Sequence, residues 1–243
     1  MSPHATDPNP PSTGGRLVYA VGDVHGHAEE LGALLRRIAA DAQASRAAQQ
    51  PLLIFLGDYV DRGPDSRGVI DAVLAVEAAG EFEVVALKGN HEDALIRFLA
   101  DPSYAETWIA NWGEATLRAY GVESWGGEAV QARFQAALPD AHRRFLGRLA
   151  LSHTVGDYHF VHAGVRPGVA VEAQDERDLL WIRHEFLSSD AAFGKVVVHG
   201  HTPAYAPEVR ANRIGVDTGC YFTGVLTAAR LHGRARDFIQ VRR

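Results

Sequence analysis

The sequence predicts an α/β fold, and three observations predict it. Through roughly the first hundred residues, short β-branched and apolar runs alternate with apolar residues at helical spacing. Five such runs along the chain end beside a glycine and an Asp, Asn or His, where a buried strand gives way to a loop. Short runs continue beyond residue 150, several close enough to pair antiparallel, so a second, mixed sheet is expected next to a largely parallel first half.

Residues 17–21 are apolar throughout and read as a buried strand. Leu31, Leu34, Leu35 and Ile38 follow at i, i+3, i+4 and i+7, which makes 27–41 an amphipathic helix. A second strand covers 52–56. Pro64 and Asp65 then open a helix with Val69, Val73 and Val76 facing inward. A third strand, 82–87, precedes Gly89, and a third helix covers 92–99. From 101 to 150 the pattern is helical, carries Trp108, Trp112 and Trp125, and splits into two helices at Pro139. Further strands are expected at 151–155, 158–161, 195–198, 213–216, 226–231 and 237–241. With no internal repeat, residues 16–243 read as one domain. Residues 1–15, rich in Pro, Ser and Gly, read as a disordered tail.

Composition excludes several classes. A formal charge of −6 argues against a dedicated nucleic-acid binder, which needs clustered Lys and Arg. Lys88 and Lys195 are the only lysines, so positive charge rests on arginine, whose planar fork suits phosphate. A single cysteine, Cys220, excludes an internal disulfide framework and reads as a small packing residue. No apolar run is long enough for a membrane span, and the first residues lack the apolar core of a signal peptide. A cytoplasmic location is the expectation.

The chemistry lies in five motifs: Gly22-Asp23-Val24-His25-Gly26, Gly57-Asp58-Tyr59-Val60-Asp61-Arg62-Gly63, Gly89-Asn90-His91-Glu92, His162-Ala163-Gly164 and Gly200-His201-Thr202. Imidazole, carboxylate and amide oxygen at strand ends describe a site for borderline divalent ions such as manganese, iron or zinc. Asp58, in the second motif, is the natural bridge between two ions. Asp23 and His25 can grip one ion together, and Asn90, His162 and His201 can complete the other.

Taken in order, these motifs resemble the phosphoprotein phosphatase family within the calcineurin-like metallophosphoesterases, over roughly residues 17–241. The resemblance implies a β-sandwich of two mixed sheets flanked by helices, with a dimetal site at one edge. It implies that Asp23, His25 and Asp58 hold the first of two divalent ions, and that Asp58, Asn90, His162 and His201 hold the second. Metal-bound hydroxide would attack phosphorus in one in-line step, without a phosphoenzyme. His91 would protonate the leaving oxygen, oriented by Asp61, while Arg62 and Arg183 would hold the phosphoryl group. Elementary chemistry agrees: histidine titrates near neutrality, a neighbouring carboxylate raises its basicity, and arginine binds phosphoryl oxygens in pairs.

His162-Ala163-Gly164 and Gly200-His201-Thr202-Pro203 resemble the bacterial and phage branch, and the leading expectation is action on phosphoserine and phosphothreonine in proteins or peptides, with phosphotyrosine and phosphohistidine as further targets. Charge and hydropathy lead to no expected nucleic-acid or membrane partner. The rival is a symmetrical diadenosine tetraphosphate hydrolase or another nucleotide phosphohydrolase. Asp61 and Glu92 favour the phosphatase. Asn111-Trp112-Gly113 departs from the Asn-Gly-Gly of bacterial relatives and alters the groove. A silent regulatory domain is disfavoured because every metal and acid position is present. His199 is a candidate for supporting a ligand from behind; His27, His142, His153, His159 and His184 read as ordinary surface or core histidines.

Overall fold

Alternation along the first strand decides the layering. In β1 (Leu17–Val21) every residue is buried, with Val18 and Ala20 on one face and Leu17, Tyr19 and Val21 on the other. A strand apolar on both faces must be covered on both, by a second sheet on one side and helices on the other. The computed structural model, which describes residues 10–124 and 129–243, has that arrangement.

The first half runs β1, α1 (Ala28–Ser45), β2 (Leu52–Phe55), α2 (Ser66–Ala79), β3 (Glu83–Ala86) and α3 (Asn90–Ala100). Both crossovers bring the next strand back parallel, Val18 beside Leu52 and Leu52 beside Glu83. The boundaries have local causes. The Asp65 carboxylate accepts the Gly68 amide at 2.8 Å to start α2, and Gly80 ends it in the left-handed region at φ 70°.

The helical stretch is more broken than its spacing suggests. It comprises α4 (Ala105–Trp108), α5 (Glu114–Ala119), α6 (Ala129–Ala137) and α7 (Asp140–Leu146), the last starting after Pro139 as expected. Between α4 and α5, residues Ile109–Gly113 form a wide π-turn. Trp108 causes it sterically: its indole stacks on Phe98 with centroids 4.5 Å apart, and a Cβ on Gly113 would come within 2.5 Å of that indole. Trp125 lies outside the described residues.

The second half supplies β4 (Ser152–Val155), β5 (Tyr158–Val161), the short helices α8 (Glu176–Trp181) and α9 (His184–Leu187), β6 (Val196–His199), β7 (Glu208–Val209), β8 (Arg213–Gly215), α10 (Cys220–Thr223), β9 (Val225–His232) and β10 (Ala235–Arg242). Two five-stranded mixed sheets result, ordered β10-β9-β1-β2-β3 and β4-β5-β6-β8-β7. The two final strands join the first sheet, with β9 antiparallel to β1, and leave the second sheet to β4–β8. Val18, Ala20, Ile54, Phe160, Val198 and Ile214 fill the space between sheets, whereas Tyr19 and Phe55 face α1–α3 on the outside.

Of the stretch read as a tail, residues 1–9 lie outside the described residues. Residues 10–15 are tied down: the Ser12 amide donates to the Asp157 carboxylate at 3.0 Å, and the Thr13 amide to the Gly233 carbonyl at 3.0 Å. Among the described residues, no helix is long and apolar enough to cross a membrane.

Trp108 is entirely buried among Phe98, Phe134 and the loop carrying Asp61. Trp108→Ala is expected to cost about 3–5 kcal/mol of unfolding free energy, read by urea denaturation. A loss under about 1 kcal/mol would show that the helical layer does not depend on this ring.

Candidate metal centre

Loops from the carboxyl ends of β1, β2, β3, β5, β6 and β8 converge on one small cavity of about 210 Å³. They bring Asp23 with His25, Asp58, Asn90 with His91, His162, His201 and Asp217. The backbone fastens the first two loops together. The amides of Val24 and His25 both donate to the Asp58 carbonyl, at 3.1 and 2.8 Å, and the Gly63 amide donates to the His25 carbonyl at 3.0 Å.

Glu92 builds the second loop. Its buried carboxylate accepts the amides of Asp58 (2.8 Å), Tyr59 (2.9 Å), Val60 (3.2 Å) and Gly89 (3.0 Å). Burial first, then the charge of Asp58, pushes this carboxyl up to about 8. Glycine is needed where backbone must pass a ligand closely: a Cβ on Gly89 would strike Asp58 Oδ1, and one on Gly200 would strike Asp23 Oδ1.

Asp58 is central. Its Oδ2 lies 3.4 Å from His25 Nε2 and 3.9 Å from His91 Nε2, and its Oδ1 lies 3.5 Å from His162 Nε2. Potential ligand atoms of His25, Asp58 and His91, and of Asp58, His162 and His201, each fall within 4.8 Å of one another, so two clusters share one carboxylate. Asn90 Oδ1 adds to the second, 2.9 Å from His162 Nε2 and 2.8 Å from His201 Nδ1. The Asp23 carboxylate accepts the His201 amide at 3.0 Å, which aligns it beside that cluster.

The donor set fits cations on physical grounds. His25 Nδ1 donates to the Val60 carbonyl and His162 Nδ1 to the Leu56 carbonyl, both at 2.9 Å. In the neutral ring this leaves each Nε2 as a bare lone pair. Those lone pairs face further acceptors, Asp58 Oδ2 and Asn90 Oδ1. Acceptor against acceptor is stable only when positive charge lies between them. Burial pushes the His25 imidazole down to about 3 and also lowers His162 and His201, so the rings themselves do not supply that charge. Burial raises Asp23, and the charges of Asp217 and Asp58 add to this. Burial opposes ionisation of Asp58 as well, yet His162, His91 and His25, the first and last of which gain charge only in acid, outweigh it there and bring that carboxyl down to about 2, so Asp58 is an anion at neutral pH. The His and Asp side chains are thus positioned for a dimetal site.

His91 stands at the edge of the first cluster. Its Nδ1 lies 2.7 Å from Asp61 Oδ2, and Asp61 is in turn held by Thr116 Oγ1 at 2.6 Å and Trp108 Nε1 at 3.4 Å. Burial works against protonation of His91, but Asp58 and the Asp61 hydrogen bond prevail and raise it. Arg62 and Arg183 both line the mouth. All ten residues singled out in the sequence are therefore brought together.

Four further wall residues escaped the sequence reading: Trp181, Pro203, Asp217 and Tyr221. Asp217 had a signal, because it ends the strand run 213–216 before Thr218-Gly219 much as the other acids end theirs. Burial, with Asp58 nearby, pushes its carboxyl up to about 6. His199 does not line the cavity; its Nδ1 lies 3.1 Å from the Gly200 carbonyl, and its ring packs on Phe186.

Residues 17–228 match the family model described as calcineurin-like phosphoesterase. Serine/threonine-protein phosphatase 1 of Salmonella typhimurium is 30% identical over 221 residues, covering 89% of this chain and 92% of that protein. The asymmetrical bis(5'-nucleosyl)-tetraphosphatase PrpE of Anoxybacillus flavithermus is 28% identical over 236 residues, covering 88% and 90%. The crystal structure of a putative diadenosine tetraphosphatase superposes with a TM-score of 0.66 at 21% identity, covering 93% of this chain and 94% of that one.

Elemental analysis tests the centre directly. Wild-type protein loaded with manganese is expected to hold about two ions per chain and to lose them to a chelator, whereas Asp58→Asn is expected to hold far fewer, because one carboxylate serves both clusters. Unchanged metal content in Asp58→Asn would refute the shared site.

Proposed function

The chain belongs to the calcineurin-like phosphoesterase family, and on that premise we propose that it is a phosphoprotein phosphatase that hydrolyses phosphate monoesters at serine and threonine. Manganese is the first metal expected, with iron or zinc as the alternatives. The observation that carries this reading is a small cavity lined, among the described residues, by two arginines, Arg62 and Arg183, and by no lysine.

Two divalent ions, when bound, supply hydroxide near neutral pH and neutralise phosphoryl charge. The chain's own residues do the rest. Arg62 and Arg183 present guanidinium forks to phosphoryl oxygens, fixing orientation as well as charge. His91 Nδ1 donates to Asp61, which leaves Nε2 facing the cavity to pass a proton to the departing oxygen. Asp61 holds that ring orientation and favours the protonated form. Trp112, 5.4 Å from the His91 ring, and Trp181, 6.2 Å from the His201 ring, wall the open side and reduce water access.

Substrate choice follows from charge. Two arginines suit one dianionic phosphoryl group. A polyphosphate chain would need more positive charge along its length. Beyond Trp181 lies a groove of about 660 Å³ whose Asp93, Asp175 and Glu176 offset Arg97 and Arg177, a balance better matched to a polypeptide than to a polyphosphate. Glu92 does not line the cavity, so the weight moves from that residue to the arginines. A nucleotide phosphohydrolase is the second reading, favoured by the relatives named for dinucleoside tetraphosphates.

For the proton donor, His91→Asn is expected to keep most of the metal and to lower kcat roughly 10²- to 10⁴-fold for alkyl phosphates. The loss should shrink for aryl phosphates, whose leaving groups need little protonation. An equal loss on both, or an emptied metal site, would assign His91 to another role.

For the substrate, kcat/KM for phosphoserine and phosphothreonine peptides is expected to exceed that for diadenosine tetraphosphate on one metal-loaded preparation. A clear preference for the dinucleotide would replace the phosphatase with the nucleotide hydrolase and leave the metal chemistry intact.

A further inference from the structure

To bind a phosphoryl group, the long side chain of Arg62 must be held in place. Asp61 and Arg62 both lie in the left-handed region, at φ 69° and 66°, so the backbone bends unfavourably to direct this side chain toward the mouth. Its guanidinium is nevertheless without a hydrogen bond or an ion pair among the described residues. What it has is a ring: Arg62 Cζ lies 4.4 Å from the centroid of Tyr221. Tyr221 lines the same cavity, and its edge-to-face contacts with Phe222 (4.9 Å) and with His25 (5.6 Å) restrain the ring on two sides.

The chemistry of the contact is selective. A carboxylate partner would hold Arg62 through its N–H groups and use up the donors that phosphate requires. An aromatic face holds the guanidinium through its π-surface and leaves the in-plane N–H fork open. An arginine so held loses less side-chain freedom when an oxyanion arrives. Arg183 lines the same cavity but has no cation–π ring partner among the described residues, so the two arginines are not equivalent. We propose that Tyr221 is a positioning residue for Arg62, presenting its N–H fork preorganised for the phosphoryl group. This rests on the proposed role of Arg62, and it applies to any substrate that delivers a phosphoryl group to the cavity.

A double-mutant cycle tests it on manganese-loaded protein, with inorganic phosphate as the probe and calorimetry as the readout. Phosphate is common to peptide and nucleotide substrates, so failure on phosphopeptides leaves the cycle readable. Tyr221→Ala is expected to weaken phosphate binding roughly 3- to 10-fold, the scale of one partly exposed cation–π contact. Tyr221→Phe, which keeps the ring, is expected to stay within about 2-fold of wild type. In an Arg62→Ala background, Tyr221→Ala is expected to add less than about 2-fold, because the tyrosine acts through the arginine. Metal content is measured on each variant. Equal losses from Tyr221→Ala in both backgrounds would overturn the proposal and assign the ring to general pocket shape. Loss of metal in Tyr221→Ala would overturn it in favour of the His25 contact. Wild-type phosphate affinity in Arg62→Ala would remove the role of Arg62 and the proposal with it.

Discussion

The loop leaving β2 turns the amides of Asp58, Tyr59 and Val60 into the protein interior, and the carboxylate of Glu92 is where they end, together with the amide of Gly89. Buried amides without partners each cost about 1–3 kcal/mol, so one acid converts a loop that water would otherwise have to solvate into a rigid element. Everything at the centre inherits that rigidity. Asp58 can stand between two histidine clusters because its own backbone is fixed, and Asn90 and His91 begin a helix whose first turn carries the same glutamate. Burial and the nearby charge of Asp58 both oppose ionisation of Glu92, while its amide donors favour it, so positive charge at the centre would stabilise both acids as anions.

Strain concentrates in the same place. Among the described residues, six non-glycine side chains have positive φ, and five of them are His25, Asp58, Asp61, Arg62 and His201. Each such conformation costs of order 1 kcal/mol or more and persists only where surrounding hydrogen bonds enforce it. The clip between the first two loops and the glutamate provide that enforcement. The protein thus holds five functional side chains in directions that a relaxed loop would not give them. Relaxed loops would spread the acids apart and relieve their mutual repulsion, which a stable fold without a cation-binding task would be expected to do.

Much of this was legible in the residues themselves. A strand that is apolar on both faces must be covered on both, so residues 17–21 and 52–56 announced a layered α/β core. The acids and histidines were visible because they fall in short glycine-bearing motifs at strand ends. What escaped notice carried a weaker local mark or none. Asp217 follows Val216, with its glycine two positions later, and Trp181 and Tyr221 reach the cavity from helices with ordinary packing patterns. The π-turn at Ile109–Gly113 arises from the contact between Trp108 and Gly113, and no helical periodicity encodes it. Likewise, the role of Glu92 depends on amides more than thirty positions earlier in the chain, a relation that only the folded loop makes evident.

The return of β9 to pair with β1 has a consequence for how this protein is made. Partner residues such as Leu17 and His232 are separated by roughly two hundred positions, and closing so long a loop is slow compared with forming local helices and hairpins. While a ribosome is still extending the chain, β1 can pair with β2 on one side, but its other edge stays open until residues 225–232 emerge. An exposed, wholly apolar strand edge invites pairing with other chains. The strands that carry the first metal-binding loops can therefore pair early, while the partner that covers the other edge of β1 comes almost last, which leaves that edge open to pairing with other chains in the interval.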